Sequence, residues 1–344
     1  MNRRRFARQC LLAVVALLAS ACGGDGTGPP PGQPLAVYAS HNAADTAAVL
    51  EAYRAATGQR FRLLTDDLAE DEIRLADATT MPDADLFLAA SLAEAWAVAE
   101  ADALRPVYLP GLVEIVPSSF RDPEFRWFAL SRRARIVVYN RDEYEAGDLG
   151  EVQQYAALGD PAWSGRLCLS SSAVPGNRAL VAALIRKHGV REAELVVRRW
   201  RVNLGMSVFT NDGTLLEAIA DGRCGIGIAD SNVLAAAHAA ERNTAVAAHW
   251  FDDPAETLVD VSAAAVTRHA VQPEAAQALL DWLTSPGPNG AFAGRRYEFP
   301  LIAGAPVDAA IVDWQGHLPA TAPLAELGFL LEDADRLIER ARYP

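Results

Sequence analysis

The stretch VYASHNAAD, residues 37–45, decides how the chain is read. An apolar run from Leu35 to Tyr38 has the character of a buried strand; it stops at Ser40-His41-Asn42, and a helical pattern follows. A strand that passes through a short polar turn into a helix is the repeating unit of a parallel α/β sheet. His41 stands at that handover, either as part of a plain cap or facing something the protein holds.

The alternation continues along the chain. Strands are expected at 35–39, 60–65 and 84–89, with helices at about 43–56, 67–77 and 91–100; Leu50 and Tyr53 share one face of the first helix and Gly58 is its stop. RARIVVYN (133–140) is a strongly apolar strand. RLCLSSS (166–172), SVFT (207–210) and GIGIAD (225–230) then alternate with helices at about 177–188, 191–200 and 213–221. VDVSAAAVTR (259–268) reads as a strand returning to the first unit, followed by a helix at 273–284. Two α/β units with the chain passing between them more than once imply two lobes joined by strands.

In open α/β sheets, ligands sit beyond the carboxyl ends of the strands. The turns at those ends are Ser40-His41-Asn42, Ala90-Ser91, Ser170-Ser171-Ser172, Asn211-Asp212 and Asp230-Ser231-Asn232. Each taken alone is readily a helix cap, since Ser, Asn and Asp are the preferred capping residues. Five such turns meeting at one cleft also make a binding site.

The 344-residue chain, 51% hydrophobic and 22% charged, is long enough for two domains with real cores. Its net charge is −13, and residues 1–21 hold four arginines and no acid, so the remainder carries −17. An acidic body argues against nucleic acid or anionic lipid as the main partner. MNRRRFAR, the apolar run Leu11 to Leu18 and Ala-Ser-Ala-Cys at 19–22 have the three zones of a secretory signal, too short to span a bilayer. The small residues before Cys22 resemble a bacterial lipobox with Cys22 as the lipidated residue; an ordinary cleavage site is the alternative. Arg3-Arg4-Arg5-Phe6 resembles a twin-arginine export signal, leaving the export route open. GGDGTGPPPGQP (23–34) cannot bury a core and reads as a tether. Cys168 and Cys224 each lie in an expected strand; we expect two buried free thiols, with pairing the alternative, and no CxxC spacing suggests zinc.

In their order, LAVYASHN, FRDPEFRWFALSRRARIVVYN, DPAWSGR, TNDGTLLEAIADG, VDVSAAAVTRHAVQPEAAQALLDWL and RRYEFPL resemble the periplasmic iron(III)-binding proteins of bacterial ABC importers, over about residues 35–302. The resemblance implies an α/β, two-lobed binding protein of the type II periplasmic class, with parallel-rich sheets flanked by helices and RARIVVYN and VDVSAAAVT as hinge strands. It also implies capture of a small solute by hinge closure, no covalent chemistry, and delivery to a permease and ATPase in the inner membrane. The family's iron is held by a histidine, a glutamate and two adjacent tyrosines. His41 matches the histidine, whereas Ala90 stands at the glutamate position and Asn232 and Val233 at the tyrosine pair. Iron(III) favours anionic oxygen, which two phenolates and a carboxylate supply and these residues do not.

His41 with Asp66, Asp67, Asp212 and Asp230 could hold a divalent metal or a cationic complex, with His41 and Asp230 the metal candidates. Alternatively Ser170, Ser171, Ser172, Asn177 and Asn211 with helix N-termini could take an anion or a carboxylate. Asp230 opposes a phosphate there unless Arg133 compensates, which tilts the reading toward a cation, a zwitterion or a metal complex. Ser91, Asp212, Ser231 and Asn232 complete the expected ligand set. No cofactor is expected; the bound solute could be a metal ion with or without a synergistic anion.

No GxSxG, HExxH or P-loop is present and the remaining histidines are scattered, so an enzyme is not expected. A tethered sensor remains the alternative to import. The expected organisation is a signal peptide (1–21), a lipid-anchored linker (22–34), lobe one (35–131 plus 256–302) and lobe two (132–255 plus 303–344). The chain is expected to work as a monomer at the periplasmic face or cell surface. From Pro306 on, the tail includes an amphipathic helix carrying Leu327, Leu330, Leu331 and Leu337.

Overall fold

Leu35–Ala39 forms strand β1 with all five residues buried, and Asn42 caps the helix that follows, α1 (Ala43–Thr57), by accepting hydrogen bonds from the amides of Ala44 and Asp45. Gly58 ends that helix at φ 78°, a left-handed conformation that glycine adopts without strain, and its N–H returns to the carbonyl of Arg54. The computed structural model describes residues 33–40, 42–65 and 83–344. His41, Asp66, Asp67, Cys22, the signal and tether segments, and the helix expected near 67–77 lie outside the described residues.

Strand β2 (Phe61–Leu64), strand β3 (Leu86–Ala89), helix α2 (Leu92–Glu100) and the short helix α3 (Pro110–Ile115) complete the first α/β unit. Strand β4 (Phe128–Asn140) then leads into β5 (Leu167–Cys168), α4 (Pro175–Asn203), α5 (Asp212–Ala220), β6 (Ile226–Asp230), α6 (Ser231–Ala239) and β7 (Val246–His249). Strand β8 (Leu258–Val266), α7 (Pro273–Leu283), α8 (Pro286–Gly294) and β9 (Phe299–Pro300) follow, and α9 (Leu324–Phe329) and α10 (Leu331–Ala341) form the tail.

Among the described residues the strands make one nine-stranded sheet in the order β2-β1-β3-β8-β4-β6-β5, with β7 and β9 both pairing on β4. β1 is parallel to β2 and β3, and β5 is parallel to β6. β8 runs antiparallel to both β3 and β4, and β4 antiparallel to β6. Two parallel groups are thus joined through β8 and β4, the segments read from sequence as hinge strands. Only a long strand can serve both neighbours in this way: β4 pairs with β8 over Phe128–Arg135 and with β6 over Arg135–Tyr139.

Three local outcomes differ from expectation. SVFT makes no strand, only a bridge between Ser170 and Phe209. The helices expected at 177–188 and 191–200 are the two halves of α4, separated by Gly189 at φ 76°, ψ 160°. Cys168 and Cys224 are not free thiols: they form a disulfide, because the start of β6 lies beside β5 and brings their Cα atoms to 6.1 Å. In the tail, Leu327, Leu331 and Leu337 are buried.

Candidate functional site

Arg133 and Arg135 are two residues apart on β4, so both side chains leave the same face of the sheet. The register puts Asp260 of β8 opposite Arg133 and Asp230 of β6 opposite Arg135. A charged network follows from that pairing. Arg133 donates to Asp260 at 2.9 Å, to Asp230 at 3.1 Å and to Glu298 at 3.1 Å. Arg135 donates to Asp230 at 3.0 Å, to Asn177 at 2.7 Å and to Asp212, while the Ser170 hydroxyl donates to Asp212 at 2.6 Å. The amide of Asp230 donates to Asp212 at 2.8 Å, and Asn177 donates to the carbonyls of Ser170 and Ser171.

All of these charged groups are buried, with Arg135 and Asp260 at 1% exposure and Asp230 at 8%. Burial opposes ionisation of Asp230, but the Arg135 and Arg133 guanidinium groups outweigh it and hold the carboxyl below its ordinary range. Burial pushes Asp260 up despite Arg133, with Asp230 adding to the rise. Arg133 and Arg135 therefore face four carboxyl groups, those of Asp212, Asp230, Asp260 and Glu298, and with the buried Arg296 acting on Glu298 the carboxyl groups still outnumber the guanidinium groups.

The first unit contributes through its turns. The Ser40 hydroxyl and the Ala90 amide both donate to one oxygen of Glu94, at 2.5 Å and 2.8 Å. Ser91 caps α2 by accepting from the Glu94 amide, and the next amide, Leu92 N–H, donates to Asp260 at 2.8 Å. Burial drives the Glu94 carboxyl up to about 7, with the Ser40 and Ala90 hydrogen bonds pulling the other way. A carboxyl group therefore does lie at the Ala90 turn, delivered from one helical turn further on.

The structure brings Arg133, Ser170, Asn177, Asp212 and Asp230 into one network, whereas Ser91 only caps α2, its neighbour Leu92 making the bond to Asp260. Ser171 and Asn211 make local bonds, the Ser171 hydroxyl accepting from Ala173 and Asn211 capping α5 at Thr214, while Ser231 ties the start of α6 to β4 by accepting from the Ala134 amide. The Ser171 amide donates to Phe209 and the Ser172 amide to Pro344, so both of these backbone amides are engaged within the chain. The Asn232 side-chain oxygen is buried without a hydrogen-bond partner. Asp230, named with His41 as a metal candidate, gives both oxygens to arginines. Among the described residues no group of three or more His, Cys, Asp or Glu side chains is arranged to hold a metal ion.

Sequence reading missed Arg135, Asp260, Glu298 and Glu94. The first two carried a signal: Arg135 has the same strand parity as Arg133, and Asp260 is the lone acid in the apolar run VDVSAAAV. Glu298 and Glu94 carried none, because their place depends on how β9 and α2 fold back.

Two groups of parallel strands joined by antiparallel crossing strands, with polar turns and buried charge between them, define a two-lobed solute-binding protein. The chain belongs to the bacterial extracellular solute-binding protein family, which it matches over residues 35–294. It is 30% identical over 263 residues to iron uptake protein A2 of Synechocystis sp., covering 72% of this chain and 73% of that one. It is 26% identical over 344 residues to iron uptake protein A1 of the same organism, covering 96% and 95%. Among solved structures, a Trichodesmium protein in complex with iron and citrate ligands superposes with TM-score 0.78 at 24% identity, over 91% of this chain and all of that one. The ferric binding protein of Campylobacter jejuni gives TM-score 0.80 at 18% identity, over 90% of this chain and all of that one. Among the described residues no helix is long and apolar enough to cross a membrane.

Proposed function

We propose that this solute-binding protein captures a metal, or a metal complex of net positive charge, for an ABC importer. The observation that carries the charge assignment is the excess of buried carboxyl groups over guanidinium groups where the turns of the two units meet. Buried charge without a partner costs several kcal/mol. A cation offsets it, and an added anion deepens it. The engaged Ser171 and Ser172 amides weigh in the same direction. Iron uptake and iron binding in the named relatives favour a metal.

The solute does not rely on protein phenolates. Ala90, Asn232 and Val233 supply none, and the buried Tyr155 and Tyr343 hydroxyls donate to backbone carbonyls. The metal thus brings part of its own coordination shell, and Glu94 and Asp230 line its cleft, with His41 the ligand read from the sequence. Lobe one comprises 35–131 plus 256–302, lobe two 132–255 plus 303–344, and β4 and β8 are the hinge. Export, a lipid on Cys22 and the tether place the body at the periplasmic membrane face; the Cys168–Cys224 disulfide suits an oxidising compartment.

Elemental analysis with native mass spectrometry of protein purified without added metal tests the reading. One equivalent of metal with no tyrosinate absorption is expected. Titration with divalent metals, ferric citrate and phosphate then separates the charge classes, and tight phosphate binding with no metal response would overturn the proposal.

A further inference from the structure

A cavity of about 800 Å³ lies away from the polar turns and shares no residue with the network described above. Its walls come from five separate parts of the chain: Ser119, the segment around Tyr155, the end of the first half of α4, the residues leading into β8, and those leading into α9. Leu184, Leu258, Val259, Pro319, Pro323 and Leu327 make its surface largely apolar. Its size lies inside the roughly 300–1,000 Å³ range of small-molecule sites.

The charges at the rim are matched. Lys187 pairs with Glu256 and also reaches Gln154 at 3.1 Å, and Arg186 meets Glu326 at 3.5 Å. The rim pairs therefore add no net charge, and apolar walls cannot solvate an ion. One wall adjoins the candidate solute site: Leu258 and Val259 pair with Arg135 and Ala134 of β4, and the Tyr155 hydroxyl donates to the Arg135 carbonyl at 2.5 Å and accepts from the Leu258 amide at 2.9 Å. The opposite wall is tied to β4 by Arg132, which donates to the Pro319 carbonyl at 2.6 Å. An occupant would thus press on both joining strands, β4 and β8, from behind the charged network.

We propose that this cavity, bordered by Leu258 and Val259 of β8, is a second binding site, for an uncharged apolar small molecule. Nile red, an uncharged fluorophore, is the probe, titrated at pH 8 into the full chain with no metal or solute present. Saturable one-to-one binding in the micromolar range is expected, weakened at least about tenfold by Ala183→Trp and by Ala320→Trp, each of which fills the cavity from its wall. Ala320 is exposed on a loop, so its variant keeps the fold even if Ala183→Trp does not. The anionic dye 1-anilinonaphthalene-8-sulfonate is expected to bind at least about tenfold more weakly than Nile red. Absence of saturable Nile red binding, undiminished binding in Ala320→Trp, or equal affinity for the sulfonate dye each overturns the proposal. Solute capture plays no part in these readouts, so they stand or fall apart from the proposed function.

Discussion

Glu94 is the residue whose ionisation the fold alters in the most measurable way. Its carboxyl titrates at about 7 in the folded protein against its ordinary 4.5, because burial disfavours the charge more than Ser40 and Ala90 favour it. The folded state therefore holds the proton more tightly than the unfolded chain. The group costs nothing below pH 4.5, lowers stability progressively as pH rises from 4.5 to about 7, and leaves a constant deficit above that. For so buried a group the deficit is on the order of 3 kcal/mol. Glu94→Gln keeps an acceptor for both hydrogen bonds and removes the charge. Its melting temperature should match the parent's at pH 4 and exceed it at pH 8, and a lower value at pH 8 would contradict this account. Arg135 presents the reverse case. It is 1% exposed and bonded to Asp212 and Asp230, so Arg135→Leu leaves two buried carboxylates short of a partner. A loss of roughly 3–5 kcal/mol in urea unfolding is expected, since removing one partner of a buried pair uncovers the desolvation cost of the other. Arg135→Lys should fall between, because an ammonium group restores the charge and not the planar fork.

At the scale of elements, the disulfide is the crosslink that a sequence reading of the strands nearly reaches. Cys168 ends β5 and Cys224 precedes β6, which lies parallel beside it, and the bridge closes a separation of 56 residues. A loop of that length corresponds to about 4 kcal/mol of unfolded-state entropy in the simplest chain model. Reduction, or a Cys168→Ala/Cys224→Ala double variant, should lower unfolding free energy by about 2–4 kcal/mol, read by chemical denaturation with and without dithiothreitol. Most elements were legible beforehand because their signals are local. Alternating or continuous apolar runs gave β1, β4 and β8, and Asn42, Gly58 and Ser91 marked helix ends by capping chemistry that needs no tertiary context. SVFT misled for the opposite reason: its apolar character serves packing and a single bridge to Ser170, and composition alone cannot show that a partner strand is missing. The site was half legible. Polar turns announced themselves, but Glu94 reaches the Ala90 turn by a helical return, and Glu298 reaches Arg133 from a segment more than a hundred residues away. Tail packing was no easier to foresee: Gly328 lies so close to the ring of Trp96 that any added Cβ would stand 2.2 Å from it.

For the whole molecule, the charge network and the sheet topology make one argument. β4 and β8 are the strands through which the two parallel groups join, and they also carry Arg133, Arg135 and Asp260. Asp260 accepts from the α2 amide of Leu92 on one side and from Arg133 on the other, while Arg133 and Arg135 extend to Asp230 at the end of β6. A cation entering between the Glu94 turn and the Asp230 turn would be drawn by carboxyl groups on both, so its capture pulls the two units together about the strands that join them. The excess acid sets how strong that pull is. Asp260→Asn removes one buried negative charge while keeping an oxygen for the Leu92 amide. It should weaken a cationic solute about tenfold, or about 1.4 kcal/mol, by titration calorimetry. Small-angle scattering should show a smaller radius of gyration for the parent protein on saturation, and the same contraction for the variant at its own saturating concentration. Unchanged affinity in Asp260→Asn would mean that the carboxyl excess does not select the solute. Unchanged scattering in the parent would mean that β4 and β8 do not act as a hinge.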